Sequence, residues 1–371
     1  MSKSVADPFG PHHEVTRVAT ILRQEVEQAG VLSFARFMEV ALYCPKIGYY
    51  ERQTGQTGRA GDFYTSVSVG PLFGELLARQ FADWLEALGA RQLVEAGAHD
   101  GQLAHDILSW LAAHRPQLFA RLHYWIIEPS LNRQEWQRLK LESFAPRVEW
   151  FAGFHALPAA GVRGVIFSNE LLDAFPVHRL AWDAAKRGWK EWGVGIEGDR
   201  FVWRAMESEV DWTTELGSAG FELPEELLAV FPDGFELEVS PVSGTWWSAA
   251  AHALRTGKLL TIDYGMQAIE RLEPARAGGT LRAYAQHRVQ ASVLDNPGEQ
   301  DITAHVNFTQ LQLAGERAGL RTEGLFTQPQ FLTRIVAKAA ETCAPAQTRQ
   351  FQTLVHSEHL GRAFRVLVQS K

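Results

Sequence analysis

Cysteine is nearly absent from this sequence. Two residues, Cys44 and Cys343, lie far apart in a chain of 371 and offer neither metal-ligand spacing nor a disulfide framework. Such usage fits a reducing compartment. Long apolar runs are missing too, and nothing approaches the roughly eighteen residues of a membrane span. Met1 to Gly10 has neither the apolar core of a secretory signal nor the arginine-rich helix of a transit peptide, so a cytoplasmic location is expected. The thirteen histidines are scattered with no cysteine pair nearby, so no metal site is expected. There is no Gly-x-Ser-x-Gly elbow, no phosphate-cradling Walker loop and no Gly-x-Gly-x-x-Gly. Positive charge is in deficit, with 36 Lys and Arg against 43 Asp and Glu, a net of −7. Neither a nucleic acid nor a membrane is therefore an expected partner.

What is present is an ordinary globular composition, 46% hydrophobic and 21% charged, long enough for one large domain or two smaller ones. The first ninety residues read as helical, with amphipathic spacing over 15–28, a helix over 34–43 capped by Ser33, and a helix over 72–88. Residues 51–70 are rich in Gly, Thr and Ser and read as a loop. An α/β alternation follows: strand 91–96, helix 102–113, strand 122–128, helix 131–141, and strands 147–151 and 163–168. Apolar strands separated by helices imply a parallel sheet covered on both faces. Residues 178–256 break the rhythm, with alternating segments that suggest an antiparallel insertion and helices over 223–256. The sheet resumes at Lys258–Tyr264. A loop over 265–300, a helix over 307–318 and strands at 320–326 and 363–369 close the chain. Several of the twelve Trp fall between 182 and 247, as core, as a partner surface such as a homodimer interface, or as both.

The most informative stretch is Leu93-Val94-Glu95-Ala96-Gly97-Ala98-His99-Asp100-Gly101, followed by a second strand ending at Glu128. Glycines after a strand let the backbone approach a nucleoside closely, and a carboxylate ending the next strand accepts both ribose hydroxyl protons. Glu95 inside the turn favours S-adenosylmethionine over NAD, because the sulfonium cofactor has no pyrophosphate for a helix N-terminus to hold.

Other polar groups fall where open α/β sheets bind ligands, at the carboxyl ends of strands. Asn169, Glu170 and Asp173 end the fourth strand. Asn169 is suited to an amine and Glu170 to a guanidinium held bidentately; a helix start, with Asn169 as cap and the two acids on the helix dipole, is the plainer alternative. Gly61, Asp62, Phe63 and Ser66 belong either to a lid over the cofactor or to a surface turn. Asp263 is either a substrate carboxylate or a turn residue. His305 is a base or substrate contact, unless Asp301 and Thr303 merely cap the helix near Phe308.

Together these segments resemble one family, the mitochondrial complex I assembly-factor methyltransferases and their MidA-like bacterial relatives. The matching pieces include Gly48-Tyr49-Tyr50, Gly61-Asp62-Phe63 with Thr65-Ser66, Phe73-Gly74, Glu95-x-Gly97 with Gly101, and Glu128-Pro129-Ser130. Asn169-Glu170 with Asp173-Ala174, Asp263-Tyr264-Gly265, Gly279-Thr280-Leu281-Arg282 and Asp301-Ile302-Thr303 with His305-Val306 complete them. The resemblance implies a class I S-adenosylmethionine-dependent methyltransferase fold, methylation of a protein arginine, and cofactor contacts at Gly61, Asp62, Ser66, Glu95, Gly97, Gly101 and Glu128. One departure stands out: the family's turn usually has glycine where this chain has His99.

The expectation is an α/β protein with a Rossmann-like methyltransferase core (91–177 and 257–371), an N-terminal helical region with its lid loop (1–90), and an inserted α+β, substrate-facing subdomain (178–256). Cofactor contacts are expected at Gly61, Asp62, Phe63, Ser66, Glu95, Gly97, Gly101, Glu128 and Asn169, and catalytic roles at Glu170, Asp173, Asp263 and His305. Two other classes remain open: a non-catalytic assembly protein, favoured by His99, and an NAD-dependent oxidoreductase, disfavoured by Glu95.

Overall fold

Seven apolar strands set the frame. They are β1 (Gln92–Ala96), β2 (His123–Ile127), β3 (Val148–Phe151), β4 (Val162–Asn169), β5 (Leu254–Met266), β6 (Arg321–Thr327) and β7 (Phe364–Ser370). The computed structural model describes residues 16–52, 65–285, 288–338, 345–356, 361 and 363–371. In the sheet the order is β3-β2-β1-β4-β5-β7-β6. The five strands from β3 to β5 are parallel, while β7 runs antiparallel to both its neighbours. Side chains from both faces of the parallel strands are buried: Tyr124 and Ile126 enter one core, and Trp125 and Ile127 the other. The run of apolar residues in these strands is the signature of a sheet covered on both sides.

One face is covered by helices Leu72–Leu88 and Gln102–His114, the other by Pro241–Ala253 and Phe308–Arg317. The first pair approaches closely at Gly74, where an added Cβ would lie 2.6 Å from the Asp106 Cβ. Two helices not expected from the sequence, Gln328–Lys338 and Pro345–Val355, join the first face through Phe331, Leu332 and Leu354. Ser33 caps the helix Phe34–Tyr43 as expected, accepting from the Arg36 amide at 3.2 Å. Among the described residues no helix is long and apolar enough to cross a membrane.

The insertion is an antiparallel sheet of His178–Asp183, Gly188–Glu197, Arg200–Met206 and Glu236–Val239, joined by the N-terminal strand Leu32–Ser33. Trp182, Trp212, Phe231 and Phe235 fill its own core. Three boundaries differ from expectation. Residues 236–239 form a strand, not a helix. The helix 241–253 belongs to the main core, where Trp247 is fully buried and its Nε1 donates to Gln369 Oε1 at 2.8 Å. Asp301 and Thr303 lie in a strand paired with Arg282–Ala285, and it is Asn307 that caps the following helix. A third core ties the N-terminal helices to the insertion sheet, the loop after β4 and the strand Asp301–Thr303, with Phe34, Phe37 and Met38 against Val194, Ala174 and Ile302.

Glu95 on β1 is buried, and its Oε2 accepts from the buried Tyr124 hydroxyl on β2 at 2.5 Å. Burial pushes its carboxyl up from 4.5 to about 8, the tyrosine bond opposing. A carboxyl that keeps its proton when folded but loses it when unfolded makes folding less favourable as pH rises between the two values. Stability in denaturant titrations is expected to fall with rising pH through about 8, less steeply in Glu95→Gln; equal slopes would mean that Glu95 is ionised in the fold. Gly74→Leu is expected to lower the unfolding free energy by about 1–3 kcal/mol through overpacking against Asp106, read from the denaturant midpoint.

Candidate active site

The carboxyl ends of β1, β2, β3 and β4 open into two cavities that meet at Gly97. Gly97 has φ +72°, and a Cβ there would come within 2.6 Å of Leu171 Cδ1, so only glycine fits this turn. The larger cavity, about 870 Å³, has Glu128 on one wall and the apolar Ile127, Phe154, Phe175 and Trp246 on others. Trp246 meets Phe154 and Phe175 edge-on, with ring centroids 5.2 and 5.9 Å away. Glu128 is buried, with Oε1 accepting from the Ser130 amide (3.0 Å) and Oε2 from Gln137 Nε2 (3.2 Å). Burial raises its pKa; Arg133, 3.8 Å away, works in the opposite direction. An anchored carboxylate beside an aromatic slot suits a nucleoside, its ribose on Glu128 and its base against the rings.

The smaller cavity, about 250 Å³, is lined by Glu95, His99, Asn169, Glu170, Asp173 and Asp301, with Tyr50 among the other walls. No helix starts after β4, so Glu170 and Asp173 do not act on a helix dipole. Glu170 instead has φ +49°, unusual for a side-chain-bearing residue, with its amide donating to the Ile262 carbonyl at 2.9 Å. Its Oε1 accepts from Asn169 Nδ2 and the Ser66 amide, both at 3.1 Å. Burial pushes its carboxyl up to about 7, with Asp263 and Asp301 adding to the shift. Asp173 is raised well above the usual carboxylate range by burial and by Asp263, Asp301 and Glu170. Asp301 accepts from the Tyr50 hydroxyl at 2.7 Å. Of the six buried polar atoms without a hydrogen-bond partner among the described residues, two belong to residues lining this cavity, Asn169 Oδ1 and His99 Nε2.

Expected site residues separate into four groups. Glu95, Gly97, Asn169, Glu170 and Asp173 line the smaller cavity, and Glu128 lines the larger. Gly101, at φ +87°, is the N-cap of the helix Gln102–His114, and Ser66 reaches the site through its amide on Glu170. Asp263 and His305 are corrections. Asp263 is fully buried behind the wall: Oδ2 accepts from the amides of Leu171 (3.1 Å) and Leu172 (2.8 Å), and Oδ1 from that of Tyr264 (2.8 Å). It positions the loop and lines neither cavity. His305 lies edge-on to Tyr264, ring centroids 4.3 Å apart, outside both cavities; burial lowers its pKa to about 4. Gly61, Asp62 and Phe63 lie outside the described residues. Tyr50, Asp301 and Arg133 were missed. The cluster Asp301–His305 signalled polar chemistry, but the member facing the cavity is the aspartate.

The site tests well for S-adenosylmethionine. The glycine cradle at 97, the anchored Glu128 and the unpartnered Asn169 Oδ1 offer places for sugar and ammonium groups. Residues 76–326 match the family model described as "Putative S-adenosyl-L-methionine-dependent methyltransferase". The chain is similar, at 33% identity and TM-score 0.83 over 95% of its length and 92% of the other's, to a likely methyl transferase from Burkholderia thailandensis bound to S-adenosyl-homocysteine. It is 25% identical to the zebrafish (Danio rerio) mitochondrial protein arginine methyltransferase NDUFAF7, over 93% of this chain and 84% of that protein. With the human (Homo sapiens) protein of that name it shares 27% identity over 80% of this chain and 68% of the relative. The relatives' mitochondrial names overturn the cytoplasmic expectation, which rested on the lack of a recognisable targeting segment. By model match and by structural likeness, the chain belongs to this family of S-adenosylmethionine-dependent methyltransferases, the group its motifs resemble, and S-adenosylmethionine is its cofactor.

Proposed function

We propose that the chain methylates an arginine of a protein substrate, with Glu170 and Asp173 holding the guanidinium. The observation that carries this reading is the acidic chamber beside Gly97, where Glu170, Asp173 and Asp301 share one wall. Three carboxyls gathered on one wall favour a cation, which would draw them into their ionised form, and a guanidinium offers five donors in a planar fork. The names of the curated relatives, protein arginine methyltransferases, support the same substrate class.

The cofactor supplies an electrophilic methyl group on a sulfonium. Glu128 holds the ribose, and Asn169 Oδ1 and Glu95 face the ammonium of the amino-acid tail. Glu170, ionised by the incoming guanidinium, accepts two of its N–H groups and concentrates electron density on the remaining nitrogen. Asp173, which gives up its own proton to solvent as the cation binds, then takes the proton which that nitrogen loses. Positioning and exclusion of water do most of the work in such an in-line transfer. Glu170 is already oriented for its part by the Ser66 amide and Asn169.

In this reading the N-terminal helices and the antiparallel part of the insertion, residues 178–239, face the protein substrate, and a second copy docked on the insertion would give a homodimer. His99 lines the smaller cavity without filling it, which favours a working enzyme over a non-catalytic scaffold.

The test is transfer of labelled methyl from S-adenosylmethionine to the proteins of a heat-inactivated extract, followed by acid hydrolysis and amino-acid analysis. Label is expected in methylarginine; label only in lysine or in base-labile esters would overturn the assignment. Glu170→Gln is expected to lower kcat about a hundred- to a thousand-fold while leaving S-adenosyl-homocysteine affinity unchanged by calorimetry. Because Glu170 must be ionised to hold the cation, turnover at low acceptor concentration is expected to rise with pH through about 7. Glu128→Ala is expected to weaken S-adenosyl-homocysteine binding at least about tenfold, the loss of hydrogen bonds to a charged group.

A further inference from the structure

His99 occupies a backbone conformation, φ +47°, that L-residues rarely adopt and that glycine would take without strain. Its side chain lies on the wall of the smaller cavity, and its Nε2 is buried with no partner among the described residues. Nδ1 lies on the other side, 3.9 Å from Asp100 Oδ1. Burial works against ionisation of Asp100, yet His99 and the Gln102 amide hold its carboxyl down at about 2. The imidazole is therefore set between an anion and the cavity, with one nitrogen left to serve a ligand.

The cofactor's tail is a zwitterion, and the cavity treats its two ends unequally. For the ammonium there are Asn169 Oδ1 and Glu95. For the carboxylate the described lining holds no lysine or arginine. Three other side-chain donors on the wall are engaged: Gln102 Nε2 on Asp106 (2.8 Å), Ser68 Oγ on the Thr65 carbonyl (2.8 Å), and the Tyr50 hydroxyl on Asp301 (2.7 Å). We infer that His99 Nε2 donates to the α-carboxylate of S-adenosylmethionine, so that a side chain in the glycine turn serves as a cofactor ligand. This rests on the cofactor assignment above, and it extends that assignment to which end of the tail lies where.

The test is calorimetry of the full chain and its His99→Gly variant with two ligands: S-adenosyl-homocysteine, and 5′-methylthioadenosine, which lacks the amino-acid tail. Glycine at this φ is expected to keep or raise the denaturant midpoint, so loss of fold does not confuse the result. His99→Gly is expected to bind S-adenosyl-homocysteine about thirtyfold more weakly, the loss of one charge-assisted hydrogen bond, and to bind 5′-methylthioadenosine as the wild type does. Unchanged or tighter S-adenosyl-homocysteine binding would overturn the inference. Equal losses for both ligands would overturn it too, since the tail would then not be what His99 senses. If the wild type bound neither compound, the cofactor assignment itself would fall, and the inference with it.

Discussion

The carboxylate of Asp263 organises the whole site. Buried behind the sheet's functional edge, it accepts three backbone amides, two from the loop after β4 and one from its own strand. Hydrogen bonds from N–H groups to a buried anion are stronger than neutral ones, and each amide left without a partner would cost on the order of 1–3 kcal/mol. With Leu171 and Leu172 fixed, Glu170 is held at its unusual φ and Leu171 is pressed against the Gly97 turn. One group thereby sets both the acidic wall and the cofactor cradle, without touching a ligand.

The price of that arrangement is electrostatic. Glu95, Glu170, Asp173 and Asp263 all sit above their ordinary pKa, each first because of burial. Beside the larger cavity burial raises Glu128 as well, but there Arg133 nearby and an amide and a side-chain donor in contact oppose it. The two chambers are thus prepared for different partners, one for a neutral sugar on an anchored acceptor, the other for positive charge. A low dielectric strengthens both the attraction to a cation and the penalty for its absence.

Much of the core was legible because its signals are local. Apolar strands with helices between them read as a doubly covered sheet, and Glu95, Gly97 and Glu128 lie where the strand-turn pattern puts them. The errors were non-local. Asp263 and His305 follow strand ends as a ligand-binding residue would, but the packing of 171–172 and of Tyr264 decides which way they face. Asp301 looked like a helix cap because its pairing partner, the strand Arg282–Ala285, lies in a stretch that reads as loop. Tyr50 carried no polar periodicity at all; its role comes from the long-range contact with Asp301. The helices 328–338 and 345–355 show their purpose only when the uncovered part of the sheet is in view.

The segment Gly48–Arg52 touches both chambers. Tyr50 donates through its hydroxyl to Asp301 on the acceptor side, while its carbonyl accepts from Arg133 Nε at 2.9 Å, and the same guanidinium lies over its ring, 5.0 Å from the centroid. Glu51 accepts from Ser130 Oγ at 3.0 Å, next to the Glu128 carboxylate. A ligand that shifts Glu128 and Arg133 therefore acts on the residue that holds Asp301, and the reverse is equally true. Linkage of this kind is reciprocal in free energy: whatever factor the nucleoside contributes to acceptor affinity, the acceptor returns to the nucleoside. The demethylated nucleoside product and the methylated acceptor are bound by the same rule, so whatever the departure of one does to the hold on the other, the reverse departure does equally.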